Sequence, residues 1–186
     1  MKSMKEHGAG NKVYAWLKQL VPELRKRVPQ HDKGGNFDKP AKKVVGELLL
    51  AHLEDLDLTL DSKKDFHIEG NPARWVDKKR LFMGSRCYPD LGLRLQNGNK
   101  RVAIEIDHGW TGAQIRTALT KGSFNVAVGD WQECYVLFFY ERGDNRLRDQ
   151  LSEGGEPYGD ASRILHDYAE RYKTWVIFIP FHREQT

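Results

Sequence analysis

Cysteine is scarce in this chain, with only Cys87 and Cys134 among 186 residues. Their separation is not metal-ligand spacing and gives no disulfide framework. Cys-rich zinc modules and stapled secreted domains are therefore set aside. No apolar run approaches the roughly 18–20 residues that span a bilayer. The opening MKSMKEHGAG lacks the apolar centre of a signal peptide. No GxxxxGK[ST] phosphate loop, Gly-x-Ser-x-Gly elbow or His-Glu-x-x-His pair occurs. There is no internal repeat, and no low-complexity segment beyond residues 29–40. Hydrophobic residues at 39% and aromatics at 11% still suffice for a packed core. The expectation is a single cytoplasmic domain over 1–186 that does not enter a membrane.

Charge is plentiful but uneven. The formal net charge is +4 and charged residues make up 30% of the chain. Residues 1–101 hold 21 Lys and Arg against 13 Asp and Glu; residues 102–186 hold 9 against 13. The basic excess is densest in the N-terminal region 1–40 and at Lys42 and Lys43, with a second cluster at Arg74, Lys78, Lys79 and Arg80. Such asymmetry suits a polyanion, because each cation placed on a phosphate releases counterions. A solvated face on a highly charged protein gives the same pattern.

Periodicity supplies the elements. Val13, Leu17, Leu20 and Leu24 predict a helix over 11–28 that Pro22 splits or kinks. Residues 29–40 are turn-rich, and a second helix runs from Pro40 or Ala41 to about Leu53. A strand is expected near Phe66–Ile68, followed by a loop at Gly70–Pro72 and a basic segment without a clear pattern. Leu91, Leu93 and Leu95, then Val102, Ile104 and Ile106, alternate with polar or small residues around Asn97-Gly98. Two period-2 runs about an Asn-Gly predict a hairpin. Thr111 is placed to cap a helix to about Lys121. A strand at 134–140, a helix at 160–172 and a strand at 174–179, stopped by Pro180, complete an α/β domain with a mixed sheet.

The hairpin brings carboxylates together. With Asn97-Gly98 as a two-residue turn, Leu93 faces Val102 and Asp90 faces Glu105. Both acids lie on the face away from the aliphatic stripe, with Asp107 two residues further along. Like charges directly opposite are destabilising by roughly 0.2–1 kcal/mol. A cation between them removes that repulsion, and Mg²⁺ takes oxygen ligands while keeping several waters. Water screening on a polar face is the competing account. Glu47, in VVGELLLAHL, falls between Leu50 and the Val44/Ala51 face, and Glu is rarely buried unless paired. Carboxylates on a strand pair and a preceding helix fit metal-assisted hydrolysis of a phosphodiester, with the basic half holding the phosphate backbone.

In this arrangement the chain resembles the PD-(D/E)xK nuclease superfamily, the restriction-endonuclease-like fold. The matching pieces are Glu47 on the early helix, Tyr88-Pro89-Asp90 opening a strand, Ala103-Ile104-Glu105-Ile106-Asp107 on the next, and Gly112-Ala113-Gln114-Ile115 on the helix after it. The resemblance covers about residues 40–141, with a C-terminal helix and strand at 158–181 beyond it. It implies an αβββαβ core, a mixed central sheet flanked by helices, and a magnesium-dependent endonuclease acting on DNA, with Mn²⁺ as a substitute ion. It implies that Asp90 and Glu105 bind metal, that Glu47 orients a water or ligates a second ion, and that Gln114 sits near the site; Asp107, on the same strand face, is expected at the metal beside them. By analogy with duplex-cutting members it also implies a homodimer.

One position departs from the pattern. The family's lysine is expected at 107, where this chain has Asp107. Lys121, seven residues after Gln114 on the same helix face, is either a migrated positive charge or a solvated helix-end lysine. His108 points to the opposite strand face and reads as structural, as do His52, Tyr88 and Cys87. Trp110 reads as a core or edge aromatic. Three readings follow: a metal-dependent nuclease, a catalytically silent nucleic-acid-binding member of the same fold, or an interaction domain with a solvated acidic face.

Overall fold

The computed structural model describes Gly8 and residues 11–28, 37–56, 65–69, 75–76, 81–82, 85–86, 88–95, 100–129, 131–141, 145–152 and 154–181. The Asn97-Gly98 turn, Cys87, Arg74, Lys78, Lys79, Arg80 and the 29–36 loop lie outside them.

The N-terminal helix is two helices, α1 (Lys12–Gln19) and α2 (Val21–Arg27). The Asn11 side chain accepts from the Tyr14 N–H and caps α1. Pro22 sits in the first turn of α2, where its missing N–H has no partner to lose. Helix α3 spans Asp38–Ala51, so it starts before Pro40 and ends two residues short of Leu53. Strand β1 (Phe66–Ile68) is where the alternation places it. A two-residue pair, β2 (Leu81–Phe82) with β3 (Ser85–Arg86), falls in the basic segment that showed no pattern. Strands β4 (Leu91–Leu95) and β5 (Lys100–His108) follow.

Leu93 pairs with Val102 and Leu91 with Ile104, the register that a turn at Asn97-Gly98 requires. Helix α4 spans Gly112–Val128, seven residues beyond the expected end. Its last two turns mix Lys121, Ser123 and Asn125 with small residues, which breaks the apolar pattern without breaking the helix. Then come β6 (Glu133–Tyr140), a short α5 (Asn145–Arg148), α6 (Gly159–Tyr172) and β7 (Thr174–Pro180). Pro180 is the last strand residue rather than the residue after it.

The main sheet has the order β1-β4-β5-β6-β7. β1, β4 and β5 run antiparallel, whereas β5, β6 and β7 run parallel. The α/β class with a mixed sheet is thus as expected. Side-chain alternation divides the core in two. Leu91, Leu93, Val102, Ile104 and Ile106 face α1, α2 and α3 and pack on Leu17, Leu24, Val45, Leu48 and Leu49. Val136, Phe138, Val176 and Phe178 face the other way, onto Ala118 and Leu119 of α4 and Leu165 of α6. Ala103, Glu105 and Asp107 lie on this second face of β5. Since β5 is the middle strand, anything there is roofed by α4.

How close α4 comes depends on Gly122. A Cβ there would meet Cys134 Sγ at 2.9 Å, Thr174 Cγ2 at 3.0 Å and Val136 Cγ2 at 3.2 Å. Its lack of a side chain lets the helix carry Lys121 down onto the sheet. Gly122→Val is expected to lower stability by about 1–3 kcal/mol through overpacking. Gly112→Val, at an open position on the same helix, is expected to stay within about 0.5 kcal/mol. Urea denaturation compares the two; equal losses would dismiss the close-approach explanation.

Candidate active site

Asp90 sits one residue before β4, held by pairing on both sides. The Glu69 N–H donates to the Asp90 carbonyl at 2.8 Å, and the Ile106 N–H donates to Asp90 Oδ2 at 2.8 Å. Glu105 projects from mid-β5 onto the α4 face and is fully buried; Asp90 is 3% exposed. The two acids meet across the strand pair, as the hairpin arithmetic requires.

Helix α4 supplies their partners. Lys121 Nζ lies 2.5 Å from Glu105 Oε2 and 3.6 Å from Asp90 Oδ2. One turn on, Asn125 Nδ2 donates to Glu105 Oε1 at 2.5 Å. Lys121 and Asn125 share a face because they are four residues apart. Lys121 is therefore not a solvated helix-end lysine. It lies inside α4 and bridges both carboxylates. Asn125 was not legible as a site residue; the available signal is an amide on an otherwise apolar helix face, four residues after a lysine.

A second lysine arrives from the other side of the sheet. Lys42, on α3, places Nζ 2.8 Å from Asp90 Oδ1 and 2.5 Å from Glu69 Oε2. The charge count places Lys42 on a phosphate-binding surface; in the structure its ammonium is paired with the buried acid. Lys43, its neighbour, is exposed. Glu69, just past β1, was not singled out by any sequence pattern.

Two other expectations need correction. Glu47 is exposed. The buried stripe of α3 is Ala41, Val45, Leu48 and Leu49; Val44 and Leu50 are only half-buried and Ala51 is exposed. Glu47 therefore points away from the core that its apolar neighbours suggested. Gln114 is committed to a helix cap. Its Oε1 accepts from the N–H groups of Trp110 and Thr111 and from the Thr111 hydroxyl, while Thr111 Oγ1 accepts from the Gln114 N–H. This is a capping box that fixes the start of α4.

Asp107 is half-buried on the same strand face as Glu105, and its Oδ1 accepts from the His108 N–H at 2.8 Å. Among the described residues no three His, Cys, Asp or Glu come together as a metal-holding group. Of the expected set of Glu47, Asp90, Glu105 and Asp107, Lys121 joins Asp90 and Glu105 directly, and the Asp107 charge acts on the same lysine. His108 stacks on Phe37 with ring centroids 4.4 Å apart, a packing role. His52 contacts Asp55 and Glu23 at the end of α3. Trp110 is exposed rather than in the core.

Burial and crowding set the charge states. Burial pushes the Glu105 carboxyl up to about 8, and the neighbouring Asp90 carboxylate adds to the rise against the pull of Lys121. Burial also pushes on Asp90, but Lys121, Lys42 and the Ile106 N–H outweigh it and hold Asp90 below its ordinary value. Burial pulls the Lys121 ammonium down, yet Glu105, Asp90 and Asp107 outweigh it and raise it. Two carboxylates this close hold one proton between them, and it resides on Glu105, which has fewer donors and no water.

At this site one buried oxygen has only an ion-pair partner. Glu105 Oε2 touches the Lys121 ammonium but makes no directional hydrogen bond. That oxygen, with the Asp90 carboxylate beside it, fits a hard divalent cation. Mg²⁺ commonly takes only one or two protein carboxylates and fills its shell with water and phosphate oxygens.

The raised Glu105 value has a sign. Between about pH 4.5, where it titrates in the unfolded chain, and about pH 8, the folded state binds the extra proton. Its contribution to stability is full below that window and falls as pH rises through it, by at most about 1.4 kcal/mol per pH unit. Glu105→Gln is expected to flatten this slope. Urea denaturation of both proteins from pH 5 to pH 8 reads it, with the histidines common to both cancelling. Parallel curves would show that Glu105 does not hold the proton.

No family model, curated protein or solved structure matches this chain.

Proposed function

We propose that this protein is a metal-dependent nuclease that hydrolyses phosphodiester bonds, with DNA as the favoured substrate. The observation that carries the reading is the convergence of Asp90, Glu105 and Lys121 at one buried point, each from a different element. An acid pair with a lysine is the chemical content of the PD-(D/E)xK pattern. Here the lysine comes from α4 rather than from position 107. The order α3-β1-β4-β5-α4-β6 agrees with an αβββαβ core, with the β2–β3 pair as an insertion.

Each residue has a role in this reading. Asp90 and Glu105 are the carboxylates that hold Mg²⁺ or Mn²⁺. Bound there, the ion supplies a Lewis acid for a phosphoryl oxygen and acidifies a water. Lys121 has a side chain 51% exposed, suited to orienting the attacking water and stabilising charge that develops on phosphate. Asn125 holds the Glu105 carboxylate so that Oε2 faces Lys121. The roof of α4 and the fully buried Glu105 keep bulk water away, which strengthens each of these interactions. The exposed Lys43 and the N-terminal basic excess favour a phosphate backbone nearby.

A second reading rests on the same bridge. Lys121 already neutralises the acid pair, so the pocket is complete without a metal. A catalytically silent nucleic-acid-binding member of the fold, with Asp107 in the lysine position, would have this appearance.

Cleavage of single-stranded DNA, duplex DNA and RNA with Mg²⁺, Mn²⁺ or EDTA separates the two. Wild type is expected to cut in metal and not in EDTA. Glu105→Ala and Asp90→Ala are expected to abolish cutting, and Lys121→Ala to slow it by about 10²–10³-fold, the usual loss for one charge-stabilising group. Metal-dependent cutting that survives in Glu105→Ala would overturn the site. No cutting of any substrate, with salt-dependent binding retained, would favour the silent form.

A further inference from the structure

We propose that Lys42 is a resident counter-ion of Asp90 that a divalent cation displaces, and that Glu69 receives its ammonium when it leaves. This deepens the metal-site reading above and rests on it. The Lys42 ammonium lies between two carboxylates of unlike surroundings. Asp90, at 2.8 Å, has a side chain 4% exposed; Glu69, at 2.5 Å, has one 44% exposed. Asp90 Oδ2 accepts from the Ile106 N–H and faces Lys121 at 3.6 Å, so Oδ1, the oxygen that Lys42 covers, is the one that departure of Lys42 opens to another cation.

A monovalent and a divalent cation on one carboxylate oxygen repel each other strongly in a pocket of low effective dielectric constant. Binding of the second therefore requires departure of the first. Lysine suits this exchange: its charge is compact and its stem turns freely. Its second partner is already in contact, so the ammonium shifts towards water without any backbone change. Glu69 is itself tied to the site, since its N–H donates to the Asp90 carbonyl at 2.8 Å. The acceptor and the carboxylate it relieves are thus fixed relative to each other. Lys42 approaches from α3 and Lys121 from α4, so departure of Lys42 from Asp90 needs no movement of α4.

Titration calorimetry of Mn²⁺ into the full chain, without nucleic acid, tests this in wild type, Lys42→Met, Lys42→Arg, Glu69→Gln and the Lys42→Met/Glu69→Gln double variant, with circular dichroism confirming the fold. Lys42→Met is expected to bind Mn²⁺ on the order of tenfold tighter, as removal of an adjacent like charge requires. Lys42→Arg, which keeps the charge, is expected to resemble wild type. Glu69→Gln is expected to bind more weakly, and to have no effect once Lys42 is methionine. Being at an exposed position, it carries the test should Lys42→Met fold poorly. Wild-type binding that Lys42→Met does not tighten would overturn the exchange and leave the metal site standing. Weaker binding on Glu69→Gln that persists in the double variant would make Glu69 a ligand and overturn its role as acceptor. No binding in any protein would overturn both the exchange and the metal site.

Discussion

A fully buried carboxyl group on the middle strand of a sheet is the constraint on which the rest of this structure turns. Glu105 has no water to solvate it, and an unpaired buried charge is too costly for a fold to retain. The surrounding structure answers it in three ways. A proton is retained well above the ordinary carboxyl range. An amide from Asn125 occupies one oxygen, and the Lys121 ammonium lies against the other. Asp90, facing it, is kept ionised by donors that Glu105 lacks. The two acids differ in charge because their surroundings differ, not their chemistry.

Meeting this demand requires both layers of helices. α4 can deliver Lys121 and Asn125 only by lying close on β5, β6 and β7, and Gly122 permits that approach. Its first turn is fixed by the Thr111–Gln114 capping box, so the helix phase that aims Lys121 at the acids is set nine residues upstream. Across the sheet, Ala41, Val45, Leu48 and Leu49 clamp α3 onto the aliphatic stripe of β4 and β5. That phase turns Lys42 towards Asp90 and Glu47 towards solvent. Ordinary hydrophobic packing on two faces thus sets the electrostatics of one pocket between them.

Glu47 and Lys121 show the limits of reading the site from sequence. Both sit on helices, where a residue's surroundings depend on the extent and rotation of the helix. Apolar neighbours made Glu47 look enclosed, but Val44 and Leu50 mark the edges of the buried stripe rather than its centre. A helix expected to stop near Lys121 makes that lysine look terminal, although the helix runs on to Val128. Gln114 fitted a family position, yet its side chain completes a local cap. In each case a one-dimensional pattern was compatible with two rotations of the helix, and only the docked helix selects one.

The sequence by itself determined the strands of the main sheet, the antiparallel hairpin and the opposition of Asp90 to Glu105. Strand register is a local property: side chains alternate with a period of two, and a one-residue slip would bury the polar set. The sequence also carried the α/β class, through alternation in the strands and helical spacing around them. Tertiary structure alone decided which cations serve the acids. Lys42 lies 48 residues from Asp90, and Lys121 and Asn125 lie 16 and 20 residues from Glu105; contacts at such separations depend on how helices dock, and docking is fixed by the summed fit of two apolar cores rather than by any local spacing.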